Sequence, residues 1–161
     1  MATSSKKQTK KPPVTYLVCV SDADYSKVAL DYACSLTKRK KGRLIVLHIT
    51  EPVDYQGFGV VANKMQAENE KHAKKLLRNL AKEIDVDPIL VHKEGFIEKE
   101  IIKMVEEHED IDMLIVGAAF ETSSKNKTLQ PLVSQIGQKI LVPMVIVPGN
   151  LTVEQIDALS A

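Results

Sequence analysis

Tryptophan is absent from this 161-residue chain, and there are only four tyrosines and three phenylalanines. Cysteine is nearly absent too. Cys19 and Cys34 are the only two, with no C-x-x-C spacing, which excludes a disulfide scaffold and a cysteine-built zinc cluster. No apolar run approaches the ~18 residues of a membrane span. Met1 to Pro13 holds no apolar stretch of the kind a secretory leader carries, so the expected compartment is a reducing cytoplasm. Glycine is sparse, with seven residues, and never falls into the G-x-x-x-x-G-K-[ST] or G-x-G-x-x-G spacings that cradle phosphates. Nor does one sign of charge dominate: 22 Lys and Arg stand against 21 Asp and Glu, a net +1. Four of the lysines (Lys6, Lys7, Lys10, Lys11) lie in residues 1–13, which hold no acid. Without them 18 basic residues face 21 acidic ones, a net −3. A mildly acidic body behind a basic leader is not the charge pattern of a specific nucleic-acid-binding domain. The leader reads as a disordered, solubilising tail.

The remaining composition, 44% hydrophobic and 27% charged, is that of a globular domain. A chain this long can bury roughly 70% of its unfolded surface without covalent staples. Pro12 and Pro13 close the tail, and Val14 to Val20 is a short apolar run rich in β-formers, a buried strand. Ser21, Asp22 and Asp24 are helix-start residues. Apolar positions then recur at helical spacing to about Lys41, where Gly42 is placed to cap the helix. Arg43 to Thr50 is a second strand, Val60 to Ile84 a second helix and Pro88 to His92 a third strand. Glu98 to Glu107 is a short helix and Asp112 to Val116 a fourth strand ending at Gly117. Ala118 to Gln130 has no apolar period and reads as a loop. Pro131 suits the first position of a helix running to about Leu141. Pro143 to Val147 is a fifth strand, and Thr152 with Gln155 forms a capping-box pattern for a last short helix. Strict alternation of helices with buried-type strands predicts an α/β domain with a parallel sheet covered on both faces. Its ligand site belongs beyond the carboxyl ends of the strands, in the loops after Val20, Thr50 and Gly117.

No catalytic constellation emerges. The four histidines do not converge in sequence, and Glu68 with His72 lacks the second histidine of H-E-x-x-H. They read as core or surface side chains, as both cysteines read as small core hydrophobes. The one anion-site candidate is Gly117, the polar loop carrying Lys125 and Lys127, and the helix start near Pro131 to Ser134. The fifth strand raises a separate point. Met144 and Ile146 face one way, Val145 and Val147 the other. At a sheet edge its unpaired backbone would be covered either by a second copy or by the tail helix.

Five pieces, in this order, resemble the universal stress protein family across Thr15 to Pro148. They are Ser26-x-x-Ala29-Leu30-x-Tyr32-Ala33, His48-Ile49, Gly95, Asp112-Met-Leu-Ile-Val-Gly117, and Val133-Ser134 followed by Pro143-Met-Val-Ile-Val147. The resemblance implies a five-stranded, Rossmann-like parallel sheet of order 3-2-1-4-5, helices on both faces, and a homodimer joined through Met144, Val145, Ile146 and Val147. Residues 14–148 would form the domain and 149–161 a short helical tail. Many family members bind ATP through G-x2-G-x9-G-[ST] after the fourth strand and an aspartate at the end of the first. Gly117 matches the first glycine, but Phe120 and Gln130-Pro131 replace the others, and the aspartate position holds Ser21, with Asp22 next. Matched positions are Ile49 against an adenine and Gly117 and Ser134 near phosphate; Ser21 stands at the aspartate position, Asp22 would reach a ribose only if the turn shifts, and Lys125 adds charge to the polar loop. A phenylalanine side chain occupies space a phosphate-binding backbone needs, and proline removes a donor.

The expectation is therefore a cytoplasmic stress-response protein that regulates by binding, not turnover, does not hold ATP in the family manner, and has neither a membrane nor a specific nucleic acid as partner. An unidentified protein partner is compatible with it. The alternatives are a nucleotide switch using side-chain donors of Thr122 to Lys127, and a nucleotide hydrolase with Asp22 as base.

Overall fold

A computed structural model describes residues 12–21, 23–52, 59–119 and 129–161, with the side chains of 59–63 excepted. The expected leader, 1–13, thus lies almost wholly outside the described residues. Ten elements alternate along the chain: β1 (Thr15–Val20), α1 (Asp24–Lys40), β2 (Arg43–Thr50), α2 (Gly59–Glu83), β3 (Ile89–Glu94), α3 (Ile97–Glu107), β4 (Met113–Ala118), α4 (Leu129–Ser134), β5 (Met144–Pro148) and α5 (Val153–Leu159). The five strands form one parallel sheet in the order β3-β2-β1-β4-β5. The continuous aliphatic strands β1, β2 and β4 demand cover on both faces, and they receive it, whereas the edge strand β3 leaves Ile89 and Leu90 exposed. Leu17, Leu47, Leu114 and Val116 pack on one side against Ile101, Met104 and Val105 of α3 and Leu132 of α4. Tyr16, Val18, Val46 and Ile115 pack on the other against Ala29, Leu30 and Ala33 of α1 and Leu77 of α2.

Two helix ends differ from the sequence expectation. The left-handed residue after α1 is Lys41, at φ 51°, not Gly42. Gly42 N–H instead donates to the Thr37 carbonyl at 2.9 Å. What position 42 cannot accept is a side chain, because a Cβ there would lie 2.5 Å from the Val14 carbonyl oxygen. The start of α1 also departs from expectation. Its N-cap is Ala23, with no side-chain cap, and Asp24 lies in the first turn, where the helix dipole favours an acid.

The helix expected over Pro131 to Leu141 is the larger correction. α4 starts two residues earlier and ends at Ser134. Pro131 is tolerated at its third position because the first N–H groups of a helix have no intrahelical acceptor. Past Ser134 the chain tightens. The N–H groups of Gln138, Lys139 and Ile140 all converge on the Gln135 carbonyl, and Gly137 turns at φ 82°. The capping box of α5 forms as its sequence predicts: Thr152 Oγ1 accepts from Gln155 N–H at 3.2 Å, and Gln155 Oε1 from Thr152 N–H at 2.9 Å.

α5 does not cover β5. It docks on α1, where the hydroxyls of Ser35 and Ser160 lie 2.6 Å apart and Arg39 donates to the Asp157 carbonyl at 2.9 Å. Among the described residues, β5 pairs with β4 alone. Val147 is buried beneath it, while Ile146 is 41% exposed. Among the described residues no helix is long and apolar enough to cross a membrane.

Candidate functional site

The matched registers of β1, β2 and β4 bring their carboxyl ends to one level. Val20 pairs with His48, and Gly117 with Val147 on β5. Strand order reverses between β1 and β4, which is where open parallel sheets form ligand crevices. A cleft of about 120 Å³ opens there. Its floor comes from the strand ends, Cys19 to Ser21, Ile49, Val116 and Gly117. Its walls come from the starts of three helices: Tyr25 and Ser26 of α1, Ile97 and Ile101 of α3, and Leu129 and Leu132 of α4.

Three residues expected at a ligand site therefore meet at this cleft: Ser21, Ile49 and Gly117. Ser134 does not join them. It is exposed at the far end of α4, and its hydroxyl donates to the Pro131 carbonyl at 2.8 Å. The displacement follows from the earlier start of α4, which turns Leu132 to the cleft and carries Ser134 past it. Asp22 and Lys125 lie outside the described residues, as does Phe120, so the loop expected from sequence over Ala118 to Gln130 is described only at its two ends.

The polar groups of the cleft are largely committed to the turn that builds it. Ser21 N–H donates to Ser26 Oγ at 2.7 Å, and Ser21 Oγ accepts from Ala23 N–H at 3.3 Å. Ser26 N–H donates in turn to the Ala23 carbonyl at 3.0 Å. Cys19 adds no charge, since burial pushes its thiol up to about 12. Gly117 is glycine for a reason that concerns α1. A Cβ at 117 would lie 2.6 Å from the Tyr25 carbonyl oxygen and 3.3 Å from Ala29 Cβ. The missing side chain lets the first turn of α1 settle directly on β4.

Tyr25, Ile97, Leu129 and Leu132 line the cleft without having been singled out from sequence. Leu129 and Leu132 carried a signal, the i, i+3 spacing of one helix face, which the proline between them obscures. The histidines remain apart from this site. His48 is buried within β2 and stacks on His92 of β3, ring centres 5.8 Å apart, while Thr50 Oγ1 and His92 Nε2 are hydrogen-bonded at 2.9 Å. Cys34 is buried in the core, and Cys19 packs against the other core layer at the cleft floor. Burial also pushes the Cys34 thiol up to about 12, with the Asp31 carboxylate adding to the effect.

The chain matches the model of the universal stress protein family over residues 15–148. It matches no curated protein sequence at a significant level. Among solved structures it is similar to the universal stress protein UspA from Lactobacillus plantarum, at 16% identity and a TM-score of 0.61 over 86% of this chain and 99% of that one. A universal stress protein family protein from Arabidopsis thaliana with AMP bound matches at 18% identity and TM-score 0.56, over 84% and 92% of the two chains. A universal stress protein in complex with cAMP matches at 14% identity and TM-score 0.57, over 84% and 97%. At these identities the structural likeness speaks for the fold alone.

Proposed function

The chain belongs to the universal stress protein family, and from that premise we propose that it is a cytoplasmic regulator of stress response. It acts as a homodimer by binding, without turnover, and does not hold ATP in the family manner. The observation that carries the last point is what α4 offers the cleft. A phosphate site at a helix start works through free N–H groups and close backbone approach. Here the start of α4 presents the side chains of Leu129 and Leu132, and Pro131 removes one donor. Gly117 is already in close packing with Tyr25. A triphosphate brought against this lining would lose hydration without recovering it.

The dimer reading rests on the open edge of β5. The tail helix that competes to cover it is engaged with α1. Ile146, and Leu141 just ahead of the strand, are exposed at 41% and 77%. Pairing β5 with β5 of a second copy would satisfy the edge backbone and cover Ile146.

The test combines mass by light scattering with thermal unfolding in the presence of ATP. Twice the chain mass and an unchanged Tm are expected. A ligand present at 100 times its Kd adds about 2.7 kcal/mol, a shift of several degrees at this size. Such a shift would favour the rival reading, a nucleotide switch built from Thr122 to Lys127. That rival is motivated by the density of hydroxyls and lysines in Thr122 to Lys127, and the AMP-bound and cAMP-bound structures to which the chain is similar lend it support. Loss of the shift in Lys125→Ala would then locate the site.

A further inference from the structure

A cleft unsuited to phosphate is not thereby without a ligand. Seven of its described lining side chains are branched aliphatics: Val20, Ile49, Ile97, Ile101, Val116, Leu129 and Leu132. They come from β1, β2, α3, β4 and α4, so the apolar lining is drawn from five elements instead of forming one wall. Of its three described hydroxyl-bearing residues, Ser21, Tyr25 and Ser26, two are tied together in the turn, where Ser21 N–H donates to Ser26 Oγ at 2.7 Å. An apolar cavity of ~150 Å³ lined by such side chains stays dry and binds benzene. The present volume, about 120 Å³, is close to that size.

We propose that this cleft binds a small, uncharged apolar molecule about one aromatic ring in size. The inference rests on the reading that the cleft does not take a nucleotide in the family manner, and it names what the same site takes instead. Two features favour a neutral ligand. The aliphatic walls supply dispersion contacts and release little-hydrated space, but offer no counter-charge among the described lining residues. The Cys19 thiol on the floor remains protonated at neutral pH, so the floor carries no charge either. A ligand of six or seven heavy atoms should bind with a Kd on the order of 0.1–1 mM.

The experiment is a titration of the full chain with fluorobenzene, read by the isoleucine, leucine and valine methyl resonances and by the fluorine line of the probe. Saturable shifts confined to the seven lining valine, isoleucine and leucine residues are expected. Ile97→Asp places a charge at the rim, at the first position of α3, where an acid is tolerated by the helix dipole. It should weaken binding tenfold or more while the other core methyls keep their positions. Ile97→Phe, which fills the space without charge, should weaken binding as well and serves if the aspartate variant fails to fold. No saturable shift up to the solubility limit of the probe would overturn the proposal. So would shifts spread evenly through both core layers and insensitive to Ile97 substitution, which would indicate non-specific partitioning. A parallel ATP titration separates the two readings. Saturable ATP shifts at the same methyls would refute the non-nucleotide reading, and displacement of fluorobenzene by ATP would overturn the proposal with it.

Discussion

Gly117→Ala is the substitution whose consequence depends most on how Gly117 is used. The added Cβ would sit 2.6 Å from the Tyr25 carbonyl oxygen, 3.1 Å from its carbonyl carbon and 3.3 Å from Ala29 Cβ. The first two are backbone atoms inside α1, so no side-chain rotation relieves the contact. β4 and α1 must separate by several tenths of an ångström. That disturbs a face on which Ala29, Leu30 and Ala33 are all buried. Overpacking of this kind costs about 1–3 kcal/mol. At this chain length each kcal/mol lowers Tm by ~2–4 °C. Thermal and urea unfolding of the variant should therefore show a loss of several degrees and a lower midpoint, with the urea m-value unchanged. A glycine kept only to let a phosphate approach would give the opposite pattern: ordinary stability and altered ligand binding. A Gly117→Ala protein melting within a degree of the parent would refute the packing argument.

Further outcomes follow from the same structure. Both thiols are shifted upward by burial to about 12, so they should react with a disulfide reagent at pH 8 far more slowly in the native state than in urea. A thiol with a raised pKa in the fold stabilises it below the unfolded-state value, about 8.5, and loses that contribution as pH rises toward 12. Alkaline unfolding curves of Cys19→Ala and Cys34→Ala should accordingly be flatter above pH 9, and a steeper decline would contradict the assignment. Ile146→Lys puts a charge on the exposed side of β5 and should yield a folded monomer by light scattering; a variant that stays dimeric would move the interface elsewhere. Ser160→Ala removes the hydroxyl 2.6 Å from Ser35 Oγ and should cost about 1 kcal/mol in urea unfolding, whereas no loss would show that α5 does not dock on α1 as described.

The sheet was legible because its strands are unambiguous. VTYLVCV and RLIVLHIT are too short and too continuously apolar for anything but buried parallel strands, and the alternation fixes the rest. The order 3-2-1-4-5 is implied by the resemblance alone, and the sheet has it. Boundaries were harder where one residue answers two demands. Gly42 looked like a cap but serves a close approach to Val14, while Lys41 takes the left-handed turn. Pro131 looked like a helix start, although α4 begins two residues before it, and that offset moved Ser134 away from the cleft and brought Leu132 in. Ser21 and Gly117 are legible because they lie at strand ends, whose level the parallel register sets, while Ile49 is legible only through the family resemblance. Tyr25, Ile97 and Leu129 belong to helix starts, and their convergence depends on how far each helix leans over the sheet. No period in the sequence encodes that angle.

The central claim is that this family member carries no nucleotide held through its phosphates. The most direct measurement is the ultraviolet spectrum of freshly purified protein, followed by denaturation and chromatography of the supernatant. With no tryptophan and four tyrosines, the chain absorbs so weakly at 280 nm that a bound adenine nucleotide would dominate the spectrum. The account predicts a plain tyrosine spectrum and a supernatant free of nucleotide. A nucleotide recovered near one per chain would contradict it.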